Sequence, residues 1–200
     1  MARLTALAGV LLASALSSGA ARAGEAMFGV YAHDIDDQIS IGHKETGQQI
    51  VFGVRTAALD ELAAVGRPHV HLIAGINDHG GTDYLAAGLS WRLWFRDTRL
   101  YFEPGIGLSV HTGPVRLPSP DAAGITVAEA LRRQHDIDTR LDLGSRVLFE
   151  PEWSLGWKAT DRMSVELSWI HQSHAQLAGR HNPGLGDFGM RAVYRYGIDR

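Results

Sequence analysis

Three features are missing from this chain of 200 residues, and each absence excludes a class of protein or site. The chain contains no cysteine, so it can build neither a disulfide framework nor a thiolate site. Its 19 basic and 22 acidic residues give a net charge of −3, which is not the basic signature of a nucleic-acid-binding protein. After the N-terminus, no segment approaches the roughly 20 apolar residues that a membrane-spanning helix needs.

The N-terminus has the pattern of a secretory signal peptide. Arg3 supplies a positive charge, residues 4–16 are uncharged and mostly apolar, and Ala21-Arg22-Ala23 is a small-x-small cleavage site. We therefore expect cleavage before Gly24. This assigns residues 1–23 to the signal peptide and residues 24–200 to a single domain.

Most of the remaining sequence alternates between apolar and polar residues with a period of two, which is typical of β-strands. In residues 147–158, for example, Phe149 and Trp153 lie on one face, whereas Glu150 and Glu152 lie on the other. We count eight such segments: residues 27–33, 50–55, 69–77, 84–95, 100–111, 147–158, 163–173 and 188–196.

Two architectures produce such alternation. A soluble barrel or sandwich buries its apolar face, whereas a membrane barrel turns that face to lipid and encloses a polar lumen. Several apolar faces run for five or six positions, which suits the roughly 9–11 residues of a tilted spanning strand. The sequence therefore predicts an all-β fold, an eight-stranded antiparallel transmembrane β-barrel of the outer membrane. We expect the charges on the opposite faces to pair across the lumen: Arg55, Arg92, Glu103, Glu150, Glu152, Lys158, Glu166, Arg191 and Arg195.

The connections between these segments differ in length. Tight turns at residues 96–99 and 160–162 contrast with longer segments at 34–47, 77–83, 112–145 and 174–187. Residues 57–66 are an exception, since they form the longest of the connections expected on the periplasmic side. Outer-membrane barrels have short periplasmic turns and long external loops, so both termini are expected in the periplasm. In the longest loop, Thr126 and Glu129 form a capping-box pattern, which predicts a short helix from about Val127 to Gln134.

The seventh segment ends in residues that are able to do chemistry. Its apolar face continues to His171 and Ser173, at the outer end of the strand. Residues i and i+2 share one face, so an imidazole and a hydroxyl can meet on the side that faces lipid. A serine hydroxyl is a weak nucleophile until a neighbouring base takes its proton. The pattern predicts a hydrolase of a membrane component, and the alternative is two polar residues at the edge of an apolar belt.

Several short motifs accompany this pair. They are residues 101–108, the segment Gly-Ser-Arg-Val-Leu-Phe-Glu at 144–150, Leu-Gly-Trp at 155–157, His171-Gln172-Ser173, and Asn182-Pro183-Gly184. Together they resemble the PagL family of lipid A 3-O-deacylases over roughly residues 84–196. The resemblance implies an outer-membrane barrel with a Ser-His-acid site that removes the 3-O-linked acyl chain of lipid A. It implies these roles: Ser173 as nucleophile, His171 as general base, Asp187 as the orienting acid, and Asn182 and His174 as substrate-binding residues.

The chain departs from the family pattern at several positions. His174 and Gln176 stand where the family has Asn and Gly, which are plausible oxyanion donors. Counted from the Asn-Pro-Gly motif, the family's glutamate position falls on Gly186, and Asp187 comes next. In a regular strand Asp187 points into the lumen, and a bulge at residues 184–186 would turn it outward.

Three functions stay open at this stage. The first is a lipid A deacylase, the second is a catalytically silent barrel with a structural or surface-binding role, and the third is an esterase of other acyl lipids such as phospholipids. No metal or organic cofactor is implied. The expected partners are lipid A or lipopolysaccharide in the outer leaflet and the membrane itself, and a homodimer is left open.

Overall fold

The computed structural model describes residues 23–36, 43–177 and 182–197, which form a closed barrel of eight antiparallel strands. The signal peptide predicted for residues 1–23 lies outside the described residues, apart from Ala23. Each strand pairs with its neighbours in the chain, and β1 pairs with β8 to close the sheet. The strands are β1 (Gly24–Ala32), β2 (Gln48–Thr56), β3 (His69–Asn77), β4 (Tyr84–Ser90, continued by Leu93–Trp94), β5 (Leu100–His111), β6 (Val147–Lys158), β7 (Met163–Gln172) and β8 (Leu185–Tyr196).

The fourth strand is interrupted at residues 91–92, although its sequence pattern runs without a break from 84 to 95. The register of β4 against β5 is the same on both sides of the gap and places Pro104 across from Trp91. The Trp91 N–H donates to the Pro104 carbonyl at 2.9 Å, but proline has no N–H with which to return the bond. The ladder is therefore broken by one missing donor, and the strand keeps its direction and register.

The barrel carries its apolar residues outside and its charged residues inside. Leu108 and Met190 are 53% and 58% exposed on the outer wall, whereas Arg55 and Arg191 are each 1% exposed in the lumen. This is the arrangement of a membrane barrel rather than of a soluble one. The described ranges contain a 3₁₀ helix, Asp60–Val65, and one α-helix in the longest connection, and neither is long and apolar enough to cross a membrane. The fold predicted from the sequence is confirmed.

An ion network fills the lumen toward the end that carries the short turns. Arg55 bridges Glu25 at 3.0 Å and Glu166 at 3.1 Å, and Arg191 bridges Glu152 at 3.1 Å and also pairs with Glu166. Buried charges are tolerated only when they are paired and hydrogen-bonded, as these are. The pairing across the lumen that the sequence predicts is therefore present for Arg55, Glu152, Glu166 and Arg191, and Glu25 joins it. Lys158 instead pairs with Asp161 at 2.9 Å.

The opposite end of the barrel, which carries the long connections, is called the outer end from here on. The longest connection folds back over it, so that Leu141 and Leu143 are each 1% exposed and belong to the buried core. Glu45 ties this connection to two others. Its carboxylate accepts bonds from Arg140 Nε at 3.0 Å and from the Thr82 N–H at 2.6 Å. The outer mouth of the lumen is thus covered by the protein's own loops.

The one α-helix in the described residues, α1 (Val127–Thr139), lies in that connection. Thr126 caps it as predicted, because its hydroxyl accepts the Glu129 N–H at 3.2 Å. The helix ends five residues later than the sequence suggested. Side-chain pairs four residues apart, Arg132 with Asp136 and Gln134 with Asp138, stabilise the added turn.

Candidate active site

Strand β7 has two chemically different faces. Glu166 and Gln172 point into the lumen, where they accept hydrogen bonds from buried groups on other strands. Leu167 is 38% exposed on the outer wall. Because side chains alternate along a strand, His171 and Ser173 lie on the same outward face as Leu167. The structure therefore places both residues on the lipid side of the wall, at the outer end of β7.

Ser173 belongs to the barrel wall although it follows the last residue of β7. Its N–H donates to the Phe149 carbonyl at 3.1 Å, and the Phe149 N–H donates to its carbonyl at 2.8 Å. The register is that of the rest of the β6–β7 pair, so Pro151 lies across from His171. The β6–β7 ladder is interrupted beside His171, since proline has no N–H, and it resumes at Ser173. The half-buried serine is consequently held at a fixed position on the wall.

The imidazole of His171 is stacked on an indole. The ring of Trp169 lies 5.5 Å from it with an angle of only 13° between the two planes. Trp169 in turn stacks on Trp153 at 5.9 Å, and Phe188 lies 6.4 Å from Trp153. His171 itself is only 2% exposed, so the indole and its surroundings shield the imidazole from solvent.

A tight turn follows Ser173. The Leu177 N–H donates to the His174 carbonyl at 2.9 Å, and the two central residues, Ala175 and Gln176, have positive φ values of 50° and 62°. Two consecutive positive φ values are the signature of a type I′ turn, for which glycine is preferred. The glycine that the family pattern has at the position of Gln176 is thus explained by backbone conformation.

His174 and Asn182, the two residues expected to bind substrate, are hydrogen-bonded to each other beside this turn. His174 is 3% exposed, and its N–H donates to the side-chain oxygen of Asn182 at 3.1 Å. Asn182 therefore closes the segment that follows Ser173 onto the segment that precedes β8. The His174 N–H, which is next to Ser173, already donates to Asn182. It could donate to an oxyanion only after this bond is broken.

Asp187 lies on the other side of the wall from His171. It pairs with Ile170 across β7–β8, and both side chains are buried in the lumen. Its carboxylate accepts a bond from His33 Nδ1 at 2.9 Å. The bulge that would turn Asp187 outward is absent, because the β7–β8 register runs without a shift from Met163 to Gln172. The structure does not bring Asp187 to His171.

The residue directly across from His171 is Gly186. Opposite residues in an antiparallel pair share a face, and their Cβ positions are about 5 Å apart. The position at which the resemblance implies a carboxylate therefore lies beside His171 on the outward face. In this chain a glycine occupies it, so this position contributes no side chain.

Nothing in the sequence pattern singles out His33, which lies just beyond the end of β1. Its two ring nitrogens donate to Asp187 at 2.9 Å and to Glu45 at 3.1 Å. Burial disfavours the charged imidazole, but the bonds to these two carboxylates outweigh it and raise the pKa of His33 to about 9. His33 therefore links β8 to the Glu45 junction that holds the outer loops. The bond from His33 to Asp187 joins residues 154 positions apart in the chain, so no local sequence pattern indicates it.

Comparisons with known proteins identify the family and support the fold. The model of the family described as lipid A 3-O-deacylase (PagL) matches residues 60–195. The crystal structure of the outer-membrane enzyme PagL superposes with a TM-score of 0.56 at 18% identity, covering 85% of this chain and 98% of that one. The N-terminal β-barrel domain of Pseudomonas aeruginosa OprF gives a TM-score of 0.51 at 9% identity, covering 88% and 98%. At such identities the two structures show the fold alone. No curated protein sequence matches significantly.

The His33 cluster predicts a pH-dependent stability. Because its pKa is raised above the unfolded value of about 6.5, the stabilisation that it contributes is complete below pH 6.5 and is lost as the pH rises through about 9. We expect the urea midpoint of the wild type to exceed that of His33→Gln at pH 6, and the difference to shrink toward pH 10. A difference that stays constant over this range would contradict the charged state of His33.

Proposed function

This chain belongs to the PagL family of lipid A 3-O-deacylases, and from that premise we propose that it is an outer-membrane esterase that removes the 3-O-linked acyl chain of lipid A. In this proposal Ser173 is the nucleophile and His171 is the general base. The observation that carries it is the presence of both residues on one outward face of β7, at the outer end of the barrel. A substrate held in the outer leaflet meets this face without leaving the membrane.

The proposed chemistry has two steps. His171 takes the proton of the Ser173 hydroxyl as its oxygen attacks the ester carbonyl, and the tetrahedral intermediate collapses when the sugar oxygen leaves with that proton. A water molecule, deprotonated by the same imidazole, then attacks the acyl-serine ester, and the 3-hydroxy fatty acid is released as the imidazolium returns the proton to the Ser173 oxygen. The enzyme needs no metal or organic cofactor for these steps.

Asp187 takes no part in proton transfer in this mechanism. An orienting carboxylate acts through a hydrogen bond to the imidazole of the base, and the Asp187 carboxylate instead accepts from His33 inside the lumen. Its proposed role is to hold the start of β8 against β1 and the Glu45 junction. By positioning this strand, it fixes Gly186 beside His171.

A second candidate function is a catalytically silent barrel. It is favoured by Gly186, which provides no side chain at the position across from His171, and by His174 and Gln176 at the two other departures from the family pattern. The outward face would then bind a lipid without cleaving it. A third hypothesis is hydrolysis of a different acyl lipid, such as a phospholipid, and the experiments below distinguish it from the other two.

We expect the folded barrel to convert lipid A in detergent to a product lighter by one 3-hydroxy fatty acid, as measured by mass spectrometry. Ser173→Ala should reduce the rate at least about a thousandfold, since the attacking oxygen is gone. Ser168→Ala is the matched control, because Ser168 is on the same strand but faces the lumen. It should retain activity. Full activity in Ser173→Ala would exclude Ser173 as the nucleophile. Release of a fatty acid from phospholipid but not from lipid A would mean that the substrate is a phospholipid.

The silent alternative is tested by Gly186→Glu, with Gly186→Gln as the uncharged control. Gly186 is not among the glycines with positive φ, so a side chain is compatible with its backbone. A carboxylate there would lie beside His171 and favour the imidazolium that forms during the reaction. We expect Gly186→Glu to raise the deacylation rate by roughly tenfold over wild type and over Gly186→Gln. An inactive wild type with an active Gly186→Glu variant would establish the silent barrel.

A further inference from the structure

We infer that Trp169 is a positioning residue for the general base: its indole fixes the plane of the His171 imidazole against the wall, so that the ring edge is presented to Ser173. This inference rests on the proposed function. It assigns a role to an aromatic side chain that is otherwise simply one of the lipid-facing residues of the barrel.

The geometry of the stack is more restrictive than a chance contact. Residues i and i+2 of a strand are about 6.6 Å apart along the chain, and their side chains stand roughly perpendicular to the sheet. A centroid distance of 5.5 Å with planes 13° apart means that the two rings lie nearly parallel and offset from each other. Rotation of the imidazole about χ2 would turn its plane out of this parallel arrangement and lose the stacking contact.

Trp169 is itself held in place from both neighbouring strands. Trp153 on β6 and Phe188 on β8 lie directly across from it in the sheet. Trp153 stacks on its ring at 5.9 Å and 28°. Aromatic cross-strand pairs of this kind restrict side-chain rotamers. The plane of the Trp169 indole is therefore set by three strands, and the indole passes that constraint to His171.

The stack also suits the charge that develops on His171. When the imidazole takes the serine proton it becomes a cation, and the face of an indole attracts a cation through its quadrupole. The attraction is stronger where water is excluded, and His171 is only 2% exposed. A hydrogen bond from the imidazole to the Ser173 hydroxyl would lie in the plane of the ring, so it would favour the same ring orientation as the stack. The two kinds of constraint act together.

The test compares Trp169→Leu, which removes the aromatic face, with Trp169→Phe, which keeps one. Trp157→Leu is the matched control, because Trp157 is on the outer wall of β6 near the opposite end of the barrel and is 49% exposed. The measured quantity is the rate at which an alkyl fluorophosphonate labels Ser173 in the folded barrel, which does not depend on the natural substrate. The kcat and KM for lipid A are measured alongside.

We expect Trp169→Leu to lower the labelling rate and kcat by about tenfold to a hundredfold, with KM within about twofold of wild type. Trp169→Phe should restore most of both rates, and Trp157→Leu should leave them unchanged. The His171 ring protons, assigned with His171→Gln, should shift in the NMR spectrum when the Trp169 ring current is removed.

Three outcomes would overturn the inference. Wild-type labelling in Trp169→Leu would refute the positioning role while leaving Ser173 as the nucleophile. Equal losses in Trp169→Leu and Trp169→Phe would indicate a packing role only. A wild type in which Ser173 neither labels nor deacylates would refute the proposed function and the inference with it, and in that case the NMR shift alone would still report whether the stack exists.

Discussion

The alternation of side chains across a closed sheet is the constraint on which the rest of this structure depends. A sheet in lipid must pair all its backbone groups, so it closes into a barrel, and every strand residue is then committed either to the lumen or to the outer wall. In this protein the lumen receives the paired charges around Arg55 and Arg191. The outer wall receives the apolar residues and, at the outer end of β7, His171 and Ser173.

The same constraint separates two neighbouring residues by the thickness of the wall. Gly186 and Asp187 are adjacent in the chain, but Gly186 lies across from His171 on the outside, and Asp187 bonds to His33 inside. A single step along β8 therefore decides whether a carboxylate can serve catalysis or architecture. On the lumen side Asp187 joins His33 and Glu45 in a cluster that organises the outer loops. On the lipid side the ring of Trp169 is stacked on the imidazole of His171.

Much of this arrangement could be predicted from the sequence, because local patterns determine it. The period of two gave the strands and their faces, including the outward placement of His171 and Ser173, and the capping box gave the start of α1 at Val127. The same parity also indicated the lumen for Asp187, and only the family resemblance suggested an outward turn. Contacts across the barrel, such as His33 with Asp187 or Glu45 with Arg140, join residues that are far apart in the chain, and no local pattern encodes them. The orientation of the His171 ring could not be predicted for the same reason, because it depends on aromatic residues from three strands.

We place the proposed chemistry on the outer wall of the barrel and assign structural roles to the buried polar residues of the lumen. The most direct measurement is the rate of fatty-acid release from lipid A by His171→Gln and by Asp187→Asn, each as a folded barrel in the same detergent. We expect a loss of at least about a hundredfold in His171→Gln, which lacks the proposed general base, and a rate within a few-fold of wild type in Asp187→Asn. An active His171→Gln, or an Asp187→Asn variant that folds but is as inactive as Ser173→Ala, would contradict this assignment.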